Sequence, residues 1–302
     1  MTATATPILS VKPIVLDAPE RGGTPLEVRV TTPADGDTLP VIVLSHGFGW
    51  SLDGYAPLAD HWAAQGFAVI QPTYLDSRRL AIPAEDPRTP TIWRQRVLDA
   101  RHALDQLDRI EAALPGPSRR FDRDRIAVAG HSFGAQTSSV LLGARVLDAD
   151  GTPGEDLSDA RVSAGVMLAG AGTGGADLSP FAAEHFPFMN PHFDTLTTRT
   201  LVVAGDRDDS PLTVRGPEWT VDPYRLSPGA EALLTLFGGE HTLGGLAGYE
   251  VAETTDESPA RVALIQRVTS AYLRHALRLG SDDWDAARAE LSEHPLGAIE
   301  TK

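Results

Sequence analysis

Residues 125–137 read RIAVAGHSFGAQT, and this stretch decides the fold. Its first five residues form a short apolar run with the character of a buried strand. The run leads directly into Gly130-His131-Ser132-Phe133-Gly134, a G-x-S-x-G pentapeptide, and a helix-forming stretch, predicted over 132–147, leads out. A strand, a sharp turn and a helix around a central serine hold that side chain strained, with its hydroxyl exposed at the top of a sheet. The flanking glycines leave room where the chain passes close to neighbouring backbone. The emerging helix aims its positive N-terminal end at the site, where developing negative charge is favoured. Ser132 is the candidate nucleophile. An ordinary glycine-rich turn with an incidental serine is the alternative that the rest of the chain must exclude.

Working outward, short apolar β-rich runs alternate with longer helix-like stretches, which predicts an α/β fold with a mostly parallel sheet flanked by helices. Strands are predicted at 41–45, 67–71, 125–129, 162–168, 200–204 and 232–237. Helices are predicted at 58–65, with Gly66 as the stop, and at 259–279. Between them, 92–114 reads as one long amphipathic helix, with Val97, Leu98, Ala100, Leu104 and Leu107 at helical spacing. Three prolines and mixed charge make 77–90 a loop. The 302 residues are expected to form a single domain, with candidate lid or pocket insertions at 170–199 and 210–228. The stretch 170–199 has no clear period and reads as a functional loop or lid, with a wandering surface crossing as the alternative.

Composition narrows the function classes. Hydrophobic residues make up 42% of the chain, but no run approaches the roughly 18 apolar residues of a membrane span. There is no cysteine, which excludes disulfides, thiolate metal sites and a cysteine nucleophile together. The net charge is −15, from 26 basic and 41 acidic residues. Such a surface repels phosphate backbones and anionic membranes, so no nucleic-acid partner and no membrane insertion are expected. Residues 1–12 lack a basic start followed by an apolar stretch, and a cytoplasmic location is the expectation. No H-E-x-x-H or comparable spacing is present, so no metal and no cofactor are expected.

Acyl transfer at Ser132 requires two donors for the oxygen that becomes negative. One is the N–H of Phe133, directly after the nucleophile. The other is expected from Phe48 in His46-Gly47-Phe48-Gly49, directly after the strand at 41–45. Phe48 and Trp50 are then candidate walls of an acyl pocket, with plain packing as the alternative for Trp50. In this chain order the acid precedes the histidine. The strand at 200–204 ends at Gly205-Asp206-Arg207-Asp208-Asp209, where a G-x-x-D spacing favours Asp208 and leaves Asp206 as the alternative. Asp209 reads as a solvated surface charge. The candidate base is His241, in a glycine-rich loop after the last strand, with a pKa suited to taking and returning a proton. His275 lies in the last helix, His294 in the tail, and His185 and His192 in the irregular stretch. His46 belongs to the oxyanion loop, and His131 is expected to point away from the site. Phe181, Phe186, Phe188, Met189, Trp219 and Tyr224 cluster in the two insertions, and Phe188, Trp219 and Tyr224 are the candidate pocket residues. The alternative is a hydrophobic shell away from the site.

Four stretches carry a family resemblance: LPVIVLSHGFGWSLDGYAPLADHWAAQGFAVIQP, GHSFGA, LVVAGDRDDSP and GGEHTLGG. From about Leu39 to Leu277 the chain resembles the platelet-activating-factor acetylhydrolase, chlorophyllase and dienelactone-hydrolase branch of the α/β-hydrolases. The resemblance implies a Ser–Asp–His hydrolase with Ser132, Asp208 and His241 in those roles. The chain departs from dienelactone hydrolases in having no cysteine nucleophile, from chlorophyllases in having Phe133 where they carry arginine, and from the branch's polyester hydrolases in having no disulfide. A small-molecule carboxylic ester is the expected substrate. Acyl transfer or haloperoxidase-like chemistry on the same triad, and a catalytically silent binding protein on the same scaffold, are the alternatives.

Overall fold

The structure, a computed structural model, describes residues 6–36, 38–83, 86–116, 120–248, 254–280 and 282–302. The chain enters through β1 (Ile8–Leu16) and β2 (Leu26–Pro33), which pair antiparallel. Strand β3 (Leu39–Ser45), helix α1 (Ala56–Ala64) and strand β4 (Ala68–Pro72) make the first parallel crossover. Helices α2 (Ile92–Asp105) and α3 (Leu107–Ala112) lead to β5 (Phe121–His131), which turns sharply into α4 (Phe133–Leu141). Short strand β6 (Arg145–Val146) precedes β7 (Val162–Leu168), and after α5 (Pro180–His185) strand β8 (Pro191–His192) returns to pair with β6. Then follow β9 (Thr200–Gly205), α6 (Asp222–Leu226), β10 (Ala230–Leu236), α7 (Pro259–Ala276), α8 (Asp283–Glu290) and β11 (Gly297–Thr301). Nine strands form one sheet in the order β1-β2-β4-β3-β5-β7-β9-β10-β11, with every pair from β4 to β10 parallel. This is an α/β-hydrolase fold.

The unbroken apolar run of β3 follows from its place in the middle of this sheet. Val41 and Val43 pack on one face against Val97 and Leu104 of α2 and Ile110 of α3. Ile42 and Leu44 pack on the other against Leu58 and Trp62 of α1 and Val268 and Tyr272 of α7. A strand covered on both faces needs no polar alternation. The indole N–H of Trp62 donates to Thr269 Oγ1 at 3.0 Å, which ties α1 to α7 and satisfies the buried indole.

Three expectations change. The helix expected over 92–114 is two helices, broken at Gln106. There the backbone leaves helical dihedrals (φ −112°, ψ 28°), and the carboxamide pairs with both the N–H and the C=O of Asp17. A long-range contact outweighs local propensity at that point. The helix after Ser132 ends at Leu141 rather than 147, because the chain turns to pair β6 with β8. The stretch 170–199 is not wholly irregular: it carries α5, capped by Ser179 Oγ accepting the Ala182 N–H. With the 210–228 segment it builds an apolar cluster of Ala171, Leu178, Ala182, Met189 and Trp219. Both segments leave the C-terminal ends of parallel strands, where open sheets of this kind place their ligands. Among the described residues, no helix is long and apolar enough to cross a membrane.

Candidate active site

The turn between β5 and α4 holds Ser132 at φ 56°, ψ −121°, a region that a residue with a Cβ occupies only under constraint. The constraint is packing. A Cβ on Gly130 would lie 2.1 Å from the carbonyl oxygen of Gly134, and one on Gly134 would lie 2.0 Å from that of Ser45. Only glycine permits the helix start to press onto both its own strand and β3. The Ser132 N–H is fixed to Leu168 O at 2.9 Å.

From this elbow an unbroken hydrogen-bond chain runs across three strand ends. Ser132 Oγ donates to His241 Nε2 at 2.8 Å, and His241 Nδ1 donates to the Asp208 carboxylate at 3.0 and 3.1 Å. The carboxylate can only accept, which places the ring proton on Nδ1 and leaves Nε2 free to take the serine proton. Asp208 is fully buried. Burial, the strongest single influence on His241, pulls its pKa down, but the hydrogen bond and charge of Asp208, with the charge of Asp256, outweigh it and leave the pKa above 6.5. Asp206 faces elsewhere, accepting the Gly238 N–H at 2.6 Å, and Asp209 is exposed.

The loop carrying His241 has an anchor that sequence reasoning missed. Asp256 Oδ2 accepts the N–H groups of Glu240 and Gly244, both at 2.9 Å, and Oδ1 accepts the Thr242 hydroxyl at 2.5 Å. One carboxylate thus brackets the histidine. Only the general placement of acids before a helix could have signalled it, since Asp256 precedes α7 by three residues.

The turn His46–Gly49 leaves β3 beside the elbow and is clamped at both ends by a buried ion pair. Arg96 of α2 donates to Asp76 (2.7 and 2.8 Å), to Thr137 Oγ1 (3.0 Å) and to the carbonyl of His46. Asp76 in turn accepts the Gly49 N–H at 3.0 Å. The Arg96 guanidinium also lies over the rings of Tyr74 and Phe133, 4.2 and 4.4 Å from their centroids. Burial above all, with the Arg96 charge, pushes the pKa of His46 down to about 3, so its ring is neutral and Nε2 accepts the Tyr74 N–H. Among the described residues, the Phe48 N–H meets no hydrogen-bond acceptor. The Phe133 N–H opens a helix and so has no intrahelical acceptor. Both are free to bind a ligand oxygen.

These groups open on a cavity of about 180 Å³ whose walls are almost wholly apolar. Phe48, Phe186, Phe188, Met189 and Trp219 line it, with Ser132 and His241 at its edge. Phe188 stacks on Phe133 at 5.6 Å and meets Phe186 edge-on at 6.0 Å. Trp219 donates its N–H to Thr173 O at 2.7 Å, so its ring faces the cavity without an unpaired polar atom. Two expected walls are elsewhere. Trp50 stands outside the cavity, with the Arg78 guanidinium over its ring at 5.5 Å. Tyr224 is buried in the hydrophobic core and does not line the cavity, with the ammonium of Lys302 over its ring at 4.9 Å. Both positions depend on which way a side chain turns, and residue type does not encode that. Among the described residues, no group of three or more His, Cys, Asp or Glu side chains is arranged to hold a metal ion.

Comparison with known proteins agrees with this architecture. A family model described as Chlorophyllase matches residues 5–146, a span that includes the His46–Gly49 turn and the elbow. The chain is 28% identical over 253 residues to "Chlorophyllase-1, chloroplastic" of Citrus unshiu, with 74% of this chain and 73% of that protein covered. The protein of the same name from Citrus sinensis matches with the same identity and coverage.

Proposed function

We propose that this chlorophyllase-like α/β-hydrolase cleaves carboxylic esters through an acyl-enzyme, with Ser132 as nucleophile, His241 as general base and Asp208 as the group that orients it. The observation that carries the proposal is the continuous Asp208–His241–Ser132 hydrogen-bond chain at the edge of an apolar cavity. His241 Nε2 takes the serine proton as Oγ attacks the ester carbonyl, and Asp208 stabilises the resulting imidazolium. The N–H groups of Phe48 and Phe133 receive the oxyanion. His241 then protonates the departing alkoxide, and water attacks the acyl-enzyme by the same route.

Cavity size bears on substrate class. At about 180 Å³ it is little larger than the ~150 Å³ apolar cavity that holds a benzene ring. One acyl group the size of a single ring or a short alkyl chain fills it, whereas a tetrapyrrole does not fit inside. Small, uncharged esters are therefore the proposed substrates, since the bulk of any larger one would have to lie outside the cavity. The test is Ser132→Ala with p-nitrophenyl butyrate and a fluorophosphonate probe. The parent should hydrolyse the ester and take the label at Ser132, and the variant should fold, lose about 10⁴-fold or more in kcat and remain unlabelled. A parent that does neither, or a variant within about tenfold of the parent, refutes the proposal.

A further inference from the structure

Hydrogen bonds of the Asp208–His241–Ser132 chain tie together the ends of β5, β9 and β10. They do not reach the His46–Gly49 turn, which leaves β3 on the far side of β5. Oxyanion stabilisation nevertheless requires the Phe48 N–H to be held in register with the serine and the histidine. A second set of hydrogen bonds, outside the triad, makes that connection.

The Gly47 N–H donates to Tyr55 Oη at 3.1 Å, Tyr55 Oη meets His131 Nδ1 at 2.8 Å, and His131 Nε2 meets the backbone carbonyl of His241 at 2.7 Å. The directions are settled by chemistry. A carbonyl only accepts, so His131 carries its proton on Nε2; Nδ1 then accepts the Tyr55 hydroxyl proton, and the phenol oxygen keeps a lone pair for Gly47. Every donor has an acceptor. Both side chains are buried, Tyr55 completely and His131 to 5% exposure. Burial first, and then the nearby His241, pushes the pKa of His131 down to about 3, while burial raises that of Tyr55 well above its ordinary value. Both therefore stay neutral beside an imidazole that must become charged, with the two histidine ring centres 5.1 Å apart.

Two further features fit this arrangement. Tyr55 sits at φ 63°, a left-handed conformation that a bulky residue adopts only when its surroundings hold it there. A Cβ on Gly47 would lie 3.0 Å from Tyr55 Oη, so a larger residue there would push the Tyr55 hydroxyl off its place by a few tenths of an ångström. Asp256 holds the residues flanking His241 but not the His241 carbonyl, which is left to His131.

We infer that Tyr55 and His131 are positioning residues that lock the oxyanion turn to the loop of the catalytic base. This rests on the hydrolase function proposed above. Loosening the lock displaces the Phe48 N–H relative to the developing charge, while the Phe186, Phe188, Met189 and Trp219 walls of the cavity, which belong to other segments, stay in place.

The experiment compares Tyr55→Phe, His131→Ala, His131→Gln and the double variant Tyr55→Phe/His131→Ala, in the full chain with p-nitrophenyl butyrate. Tyr55→Phe and His131→Ala should each lower kcat roughly 10- to 100-fold, the scale of a misplaced catalytic group, with KM within about threefold of the parent. Because the two act as one unit, the double variant should be no more than about threefold worse than the weaker single. His131→Gln, whose amide N–H can still reach the His241 carbonyl, should recover most of the His131→Ala loss. The inference is overturned by a Tyr55→Phe variant within about twofold of the parent, by losses confined to KM, by multiplicative losses in the double variant, or by a glutamine no better than alanine. If His131→Ala does not fold, Tyr55→Phe decides alone, since it keeps the ring. A parent that is inert toward both ester and fluorophosphonate overturns the hydrolase function itself, and that outcome is visible before any variant is made.

Discussion

Arg96 and Asp76 form a buried ion pair that also hydrogen-bonds the first and last residues of the His46–Gly49 turn. The pair thus fixes a functional loop at the cost of removing two charges from water. Breaking such a pair on one side leaves the other charge uncompensated, which typically costs about 3–5 kcal/mol. Arg96→Met and Asp76→Asn should each lower the unfolding free energy by an amount on that scale, read from the urea midpoint at constant m-value. The double variant should lose less than the two singles summed. Additive losses would show that the two side chains are not coupled.

The choice between two neighbouring carboxylates is open to direct test. Asp208 receives the His241 N–H, whereas Asp206 receives the Gly238 N–H. Asp208→Asn should reduce kcat by about 10⁴-fold through loss of the productive ring orientation, and Asp206→Asn by less than about tenfold. Steady-state kinetics on both variants decides it, and a reversed order transfers the role to Asp206.

The pH profile follows from the raised pKa of His241. Only the neutral ring can accept the Ser132 proton, so kcat/KM should rise with pH and level off after an inflection above 6.5. In Asp208→Asn the two raising influences of Asp208 are removed while burial and the charge of Asp256 remain, so the inflection should move down. Stability runs the other way: a histidine whose pKa is higher folded than unfolded stabilises the protein below the unfolded pKa, and that contribution fades as pH rises through the folded value. Comparing Tm against pH for the parent and His241→Gln reads this directly. A parent inflection below 6.5 contradicts the assignment of the base.

Phe188 and Trp50 provide a matched pair for the cavity. Phe188 lines it and Trp50 does not. Phe188→Ala should enlarge the space and raise kcat/KM for octanoyl relative to butanoyl esters by about tenfold or more, since even one further accommodated methylene is worth about 1–3 kcal/mol. Trp50→Ala should leave that ratio within about twofold of the parent. An unchanged ratio in Phe188→Ala would mean that the acyl group binds outside the cavity.

Much of the architecture was legible from local pattern. Residues 41–45 and 162–168 read as strands because an apolar run bounded by turn residues has few other stable forms, and both are strands in the structure. The edge strands β1 and β11 were not read: β1 carries Lys12-Pro13 in its middle, and β11 has only two apolar residues beyond its glycine. The break at Gln106 was invisible because its cause, Asp17, lies 89 residues away.

For the site, sequence alone determined which loops bear Ser132, Asp208 and His241. Each follows a recognisable strand, and each residue type is set by the chemistry it can perform. Only tertiary structure decided which carboxylate faces the histidine, that Trp50 and Tyr224 lie outside the cavity, and that Arg96, Asp76, Tyr55, His131 and Asp256 hold the loops in place. The physical reason is that periodicity reports burial, not direction. Arg96 falls on the buried face of α2 between Ile92 and Ala100, and His131 next to the nucleophile was expected to point away, yet it supports the base through a backbone carbonyl. A buried polar side chain takes its role from the partner it meets, and those partners come from strands and helices distant in the chain.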